Sequence, residues 1–455
     1  MLPFCPINHL LCTVKKKKKM GLAHVKQPNC SCKCLSLFPI FKVERRKENV
    51  MSHSPFEGVK LLPPDPIFGL AAKAKAASEP KANLVIGAYR DENGRPYVLP
   101  VVRQAEELIQ RSQFDHEYLP IRGHDGFITA SLKLLYGECY SPEHCVGAQT
   151  LSGTGAVAMA AHFLRTIVPK NTTVYVSDPT WANHYGILQN AGFPVKAYRY
   201  YCSKTIDIDF EGYKQSVLSA PEKSIFVLHS CAHNPTGVDP SKAQWAELAD
   251  LFAQKKHYVI FDTAYQGYAS GNLDTDAYAP RLFATRGIYF LAAQSYSKNL
   301  GLYGERVGCI SAYVANKAEG AAVVSQFCDL VRKEYSNPPS YGARIAYLVL
   351  TEPNLRQAWE TQLAEMAKRI QKMRSAVYHE LVRLQTPGKW SHVTRQIGMF
   401  SYLGLSSEES QYCQEKHVFI TGTARANMAG LTEETALLLA KTIDEAVRKF
   451  RGSKL

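Results

Sequence analysis

Short apolar runs alternate with longer amphipathic ones over much of this chain. Residues 173–176, 225–229, 258–262 and 288–292 form short blocks rich in β-branched and aromatic side chains, the length and composition of buried strands. Between them lie stretches such as 243–254, where apolar positions recur at the spacing of a helix with one buried face. This alternation, from about Gln149 onward, predicts an α/β fold with a mainly parallel sheet and helices on both faces. Ligands in such sheets bind beyond the carboxyl ends of the strands. The C-terminal part has another rhythm: a long helical pattern over 355–384, a strand-like block at 399–405 and a terminal helix over Glu433–Arg451. These predict a second, smaller α+β domain. The Pro-rich stretch 62–66 reads as an arm or linker over the surface. The expected division is an extension over 1–50, an arm with part of the small domain over 51–95, a large domain over 96–365 and the small domain over 366–455.

Length and composition narrow the class. A chain of 455 residues, 46% hydrophobic and 21% charged, has ample material for a buried core. No apolar run reaches the roughly 18 residues of a membrane span, so no membrane partner is expected. The net charge of +14 invites a nucleic-acid reading, but eleven Lys/Arg against two Glu fall within residues 1–50, leaving only +5 for the rest. Basicity gathered in a tail is not a binding face, and no nucleic-acid partner is expected. Five of twelve cysteines lie in the first 34 residues, and the other seven have no regular spacing. They read as free thiols in a reducing compartment. Cys30, Cys32 and Cys34 suggest a soft-metal cluster, but no second group completes four ligands, so no metal site is expected.

The ends carry competing addresses. Residues 1–50 hold the run Lys15–Lys19 and no acid before Glu44. Organelle transit segments are acid-poor but usually rich in Arg and Ser. The preferred reading is an extension that is disordered or not made, with a fresh start at Met51. The chain ends in Ser453-Lys454-Leu455, a peroxisome-type address when exposed at the very C-terminus. The alternative location is cytoplasmic.

The most informative string runs from Ser295 through Tyr296, Ser297 and Lys298, then a Gly-rich turn to Arg306. A lysine amine of lowered pKa condenses with carbonyls to form a Schiff base. Neighbouring hydroxyls and an arginine fork suit a phosphate. Aldehyde plus phosphate is the outline of pyridoxal phosphate. The plain alternative, a surface lysine beside a loop, does not account for the whole string.

This segment resembles the lysine signature of class I pyridoxal-phosphate-dependent aminotransferases. The resemblance covers nearly all of 55–450 and is closest to the aspartate aminotransferases. It implies a fold type I architecture: a large domain with a seven-stranded, mainly parallel sheet, and a smaller α+β domain. It implies that Lys298 tethers pyridoxal 5'-phosphate and shuttles the Cα proton. Ser152, Gly153 and Thr154, before an Ala-rich helical pattern, would hold the cofactor phosphate with Ser295, Ser297 and Arg306, helped by helix N-terminal amides. Asp262, at a strand end, would pair with the ring nitrogen; its other reading is a turn cap. Tyr265 and Asn234 would reach the ring oxygen, and Trp181 would stack on the ring. His184 and His229 match residues behind Asp262, although each taken singly reads as a core histidine. Arg425 matches the clamp for the α-carboxylate and Arg332 that for the side-chain carboxylate; beside Lys333, Arg332 also reads as a solvated helix face. Gly87 matches a backbone position near substrate, and Phe400 an aromatic at the pocket wall. Tyr118 resembles a tyrosine that reaches the neighbouring subunit's phosphate.

The implied activity is reversible transfer of the amino group from L-aspartate to 2-oxoglutarate, giving oxaloacetate and L-glutamate by ping-pong kinetics. The implied partners are amino-acid and 2-oxo-acid substrates and a second copy in a homodimer with shared sites. One alternative is a broader aminotransferase that also takes aromatic donors. Others are a lyase on the same cofactor, and a binding protein that keeps the fold without the activity. The retention of Lys298, Asp262, Tyr265, Asn234 and Arg306 counts against the last.

Overall fold

A computed structural model describes residues 54–452. The Lys15–Lys19 run, Cys30, Cys32, Cys34 and the terminal Ser-Lys-Leu lie outside the described residues. From Pro63 onward the described residues form one compact unit. Helix α1 (Pro66–Ala76) opens it, with a proline in its first turn and Asp65 as N-cap, whose Oδ1 accepts from the amides of Ile67 (2.8 Å) and Phe68 (3.0 Å). The stretch 62–66, expected as an arm or linker, therefore ends as a helix start, because Asp-Pro supplies both a cap and a preset φ.

The central sheet has seven strands: β1 (Cys145–Leu151), β2 (Val174–Asp178), β3 (Val195–Arg199), β4 (Ile225–His229), β5 (Tyr258–Thr263), β6 (Phe290–Ser295) and β7 (Val307–Tyr313). Their spatial order is β1-β7-β6-β5-β4-β2-β3. Strand β7 runs antiparallel to both neighbours, and every other pairing is parallel. Alternate residues feed two cores. On β4, Ile225 and Val227 face one cluster while Phe226 and Leu228 face the other, so the strand is buried on both sides.

Helices cover those faces. Helix α2 (Ser152–Ile167) turns an alanine-rich side to β6 and β7, where small side chains allow close approach. Helix α3 (Lys242–Lys255) starts in a capping box between Ser241 and Gln244 and buries Trp245, Leu248, Ala249 and Phe252. Helix α4 (Lys317–Glu334) packs beside β1 and α2.

The C-terminal part is built on helix α5 (Pro353–Arg383), which packs against helix α6 (Glu433–Arg451). The buried positions Leu355, Trp359, Leu363, Met366, Ile370, Met373, Val377 and Leu381 make one apolar stripe along α5. Beside these helices, Phe400–Tyr402 pairs antiparallel with Arg425–Asn427, and Ala82–Asn83 pairs parallel with Val418–Phe419. The last pairing ties the N-terminal segment to the C-terminal elements. No helix among the described residues is long and apolar enough to cross a membrane. The seven cysteines from Cys139 to Cys413 are free.

Candidate active site

Strand direction decides where chemistry gathers. The carboxyl ends of β1, β4, β5 and β6 and the start of β7 share one edge of the sheet. A cleft of about 550 Å³ opens at that edge. It is lined by Gly87, Ser152, Gly153, Thr154, Trp181, Asn234, Asp262, Tyr265, Ser295, Ser297, Lys298, Arg306, Phe400 and Arg425. These stand more than 300 positions apart in sequence at the extremes, and the sheet edge brings them together.

One end of the cleft is a cradle of donors. Ser152 Oγ lies 3.1 Å from Ser295 Oγ and 2.8 Å from Ser297 Oγ. The N-terminus of α2 starts at Ser152, directly after β1, so its free amides face this end. Ser152 N donates to Arg306 O at 3.1 Å, which ties the helix start to the arginine. Both residues hold left-handed backbone, φ 62° and 53°, a conformation uncommon for non-glycine residues. A Cβ on Gly153 would come within 2.9 Å of Ser295 Cβ, so glycine is required for the helix start to sit this close.

The middle of the cleft holds the titratable groups. Asp262 and His229 are register partners on β5 and β4. His184 Nε2 lies 3.1 Å from Asp262 Oδ2. On the far side of that ring, Thr180 Oγ1 lies 2.8 Å from His184 Nδ1 and 3.5 Å from His229 Nε2. With Nε2–H donated to Asp262, Nδ1 accepts from the Thr180 hydroxyl. Burial opposes ionisation of Asp262, but the His184 hydrogen bond and nearby positive charge outweigh it and hold the carboxyl below its ordinary range. An anion facing the cleft suits a protonated ring nitrogen. Burial lowers the pKa of His229 well below normal and keeps it neutral.

Lys298 Nζ lies 5.6 Å from the centre of the Tyr265 ring. Loss of water lowers its pKa; Asp262 opposes this, while Arg306 and Arg425 add to it. A lowered lysine is a better nucleophile and proton carrier at neutral pH. Burial raises the Tyr265 phenol, and Asp262 adds to the rise, so it stays a donor. Arg425 is half-buried, its guanidinium 4.3 Å from the Phe400 ring centre and its Nη2 donating to Val85 O at 2.8 Å.

The residues present fit pyridoxal phosphate by the chemistry of their donor set, and two unmet bonds mark the cleft as a ligand site. The buried Oδ1 of Asn234 and the Nε of Arg425 have no hydrogen-bond partner among the described residues. Unsatisfied buried polar groups at a cleft are rare and point to a ligand. The cradle offers three hydroxyls, helix amides and an arginine for a phosphate, Asp262 an anion for a pyridinium, and Lys298 an amine for an aldehyde.

The family model for aminotransferase class I and II matches residues 79–443. The chain belongs to that family. This aminotransferase is 43% identical over 414 residues to the cytoplasmic aspartate aminotransferase of Saccharomyces cerevisiae, covering 88% of this chain and 99% of the relative. It is 55% identical to the broad specificity aminotransferase of Leishmania mexicana, with a TM-score of 0.85 over 86% of this chain and 98% of that structure. An aromatic-amino-acid aminotransferase of Burkholderia pseudomallei, solved covalently bound to pyridoxal phosphate, matches at 38% identity and TM-score 0.84 over 87% of this chain and 100% of that structure. The aminotransferase thus has the fold type I architecture that the resemblance implies, and its family is pyridoxal-phosphate-dependent.

Four residues singled out from the sequence do not line the cleft of their own chain. His184 and His229 lie behind Asp262, as described. Arg332, near the C-terminus of α4, donates from Nη1 to Ser336 Oγ at 2.6 Å. Tyr118 is 86% exposed. Thr180 was not singled out, although it precedes Trp181 and stands four residues before His184; that spacing was the available signal. Ile67 and Phe68 of α1 also line the cleft, with no signal beyond the Asp-Pro helix start.

Proposed function

We propose that this aminotransferase reversibly transfers the amino group of L-aspartate to 2-oxoglutarate, giving oxaloacetate and L-glutamate by a ping-pong sequence. The observation that carries the reading is Lys298 and Arg425 in one cleft, with Arg425 Nε left unpartnered. When bound, pyridoxal phosphate supplies an electrophilic carbon for the amino group and a ring that accepts the electrons left at Cα. The remaining roles belong to the chain. Ser152, Gly153, Thr154, Ser295, Ser297 and Arg306 hold the phosphate. Trp181 packs on the ring, Asp262 keeps its nitrogen protonated, and Tyr265 and Asn234 donate to its oxygen. His184, with Thr180 and His229, keeps Asp262 charged and oriented. Arg425 binds the α-carboxylate near Gly87 and Phe400. Lys298 holds the cofactor and then carries the Cα proton.

The exposure of Tyr118 and Arg332 supports a homodimer in which each chain lends these two residues to its partner's site. Division of the chain into an arm with part of the small domain over 51–95, a large domain over 96–365 and a small domain over 366–455 belongs to the same reading. The cytoplasmic yeast relative supports a cytoplasmic location.

The test is a visible absorption spectrum of the purified protein. Aspartate alone should bleach the cofactor band, and 2-oxoglutarate should restore it. No band after incubation with pyridoxal phosphate would sink the reading and favour a binding protein. A second reading, broad specificity, is favoured by the 55% identity to the Leishmania mexicana enzyme of that description. Phenylalanine bleaching the band as fast as aspartate would select it.

A further inference from the structure

Arg374 stands on the buried face of α5 with 0% exposure. Its Nη1 donates to Val393 O (3.0 Å) and Ser401 Oγ (3.2 Å), and its Nη2 to Gly398 O (2.9 Å) and Phe400 O (2.5 Å). None of these acceptors is a carboxylate. Burial pushes the guanidinium pKa down to about 9. A cation held out of water without an anion is unfavourable unless its hydrogen bonds are met. Its two terminal nitrogens make four bonds, all on one segment, 393–401, while the buried Nε has no partner among the described residues.

That segment frames the carboxylate end of the cleft. Phe400 pairs with Asn427 and Tyr402 with Arg425 across the short two-stranded ladder. The Phe400 ring lies 4.3 Å from the Arg425 guanidinium and 6.5 Å from the Tyr265 ring. A Cβ on Gly87 would meet Phe400 Cζ at 2.7 Å, so the ring also closes on that backbone. Ile397 N donates to Gly237 O at 2.8 Å, joining the segment to the turn that carries Asn234.

We propose that Arg374 is a positioning residue for the substrate carboxylate: by gripping the carbonyls of Gly398 and Phe400 it seats the Phe400 ring against Arg425 and so orients that guanidinium. The inference rests on the reading of Arg425 as the α-carboxylate clamp. A lysine at 374 keeps the charge but cannot span the same four acceptors, so the segment gains freedom without losing the cation.

Succinate binding to the holoenzyme, measured by calorimetry, and pyridoxal phosphate binding to the apoprotein test this together. Arg374→Lys should weaken succinate about tenfold while cofactor affinity stays within about twofold. Phe400→Leu should weaken succinate similarly, and the double variant should be no worse than the weaker single one, because both act through one ring. Additive losses, an unchanged succinate affinity, or equal losses of succinate and cofactor would overturn the proposal. Should Arg374→Lys fail to fold, Ser401→Ala removes one acceptor; about a threefold loss of succinate affinity is expected, and no loss overturns the idea. Succinate affinity that ignores Arg425→Ala would overturn the clamp reading and this inference with it. A loss in Arg425→Ala without one in the Arg374 and Ser401 variants overturns this inference alone.

Discussion

Burial lowers the pKa of the Lys298 amine, and Arg425, far away in sequence on the C-terminal ladder, adds to the fall, while Asp262 on β5 opposes it. Lys298→Ala removes the amine while leaving a small side chain at the cleft floor, so turnover should fall by at least about 10⁴-fold with an unchanged circular dichroism spectrum. Near-normal turnover would remove Lys298 from the chemistry. Asp239 shows a different residue-scale effect. Its carboxylate accepts from the amides of Ala232 (2.6 Å) and His233 (2.8 Å), bracing the turn before Asn234. Burial raises its pKa from 3.8 to about 6 despite those bonds. A raised carboxyl stabilises the fold while protonated, and that contribution is lost as pH rises through the folded pKa. Two units amount to roughly 3 kcal/mol, of which about 2 kcal/mol falls between pH 4.5 and 7. Asp239→Asn lacks this titration. The stability of the wild type relative to the variant, from urea unfolding, should therefore drop by about 2 kcal/mol over that range. A difference flat with pH would show that Asp239 titrates normally.

At the scale of elements, the junction from β1 to α2 sets the anion cradle. Gly153 allows the first turn of α2 to lie against Ser295. Gly153→Ala should push the helix start from β6 and weaken pyridoxal phosphate binding to the apoprotein about tenfold or more, read by fluorescence titration; an unchanged affinity would place the phosphate elsewhere. Strand legibility also varied by element. The blocks at 225–229 and 258–262 match β4 and β5 closely because these central strands are apolar on both faces. The block at 288–292 is displaced from β6, Phe290–Ser295. Tyr289 is exposed, and the small or polar Ala293 and Gln294 become strand because β5 and β7 pair with them on either side, as β7 alone does with Ser295. Apolar pattern cannot reveal a strand made by its neighbours.

At the scale of the whole molecule, Arg332 and Tyr118 bear on assembly. Neither lines the cleft of its own chain. If each serves a partner subunit, two inactive variants should complement. Co-expressed Lys298→Ala and Arg332→Ala chains would form mixed dimers with one intact site each. About a quarter of wild-type activity toward aspartate is expected from random pairing. Absence of recovery in purified mixed dimers would place Arg332 in its own chain's site.

The chain's apolar periodicities and the string around Lys298 were enough to read an α/β fold and a lysine-centred site. Those signals are local: a helix or strand repeats within a few residues, and a phosphate cradle uses adjacent hydroxyls and amides. The pairing of His229 with Asp262, the reach of Thr180 to two histidines, and the grip of Arg374 on the Phe400 segment are not local. Each arises where strand register or helix packing brings distant residues within hydrogen-bond range, and burial then sets the charge that each group carries.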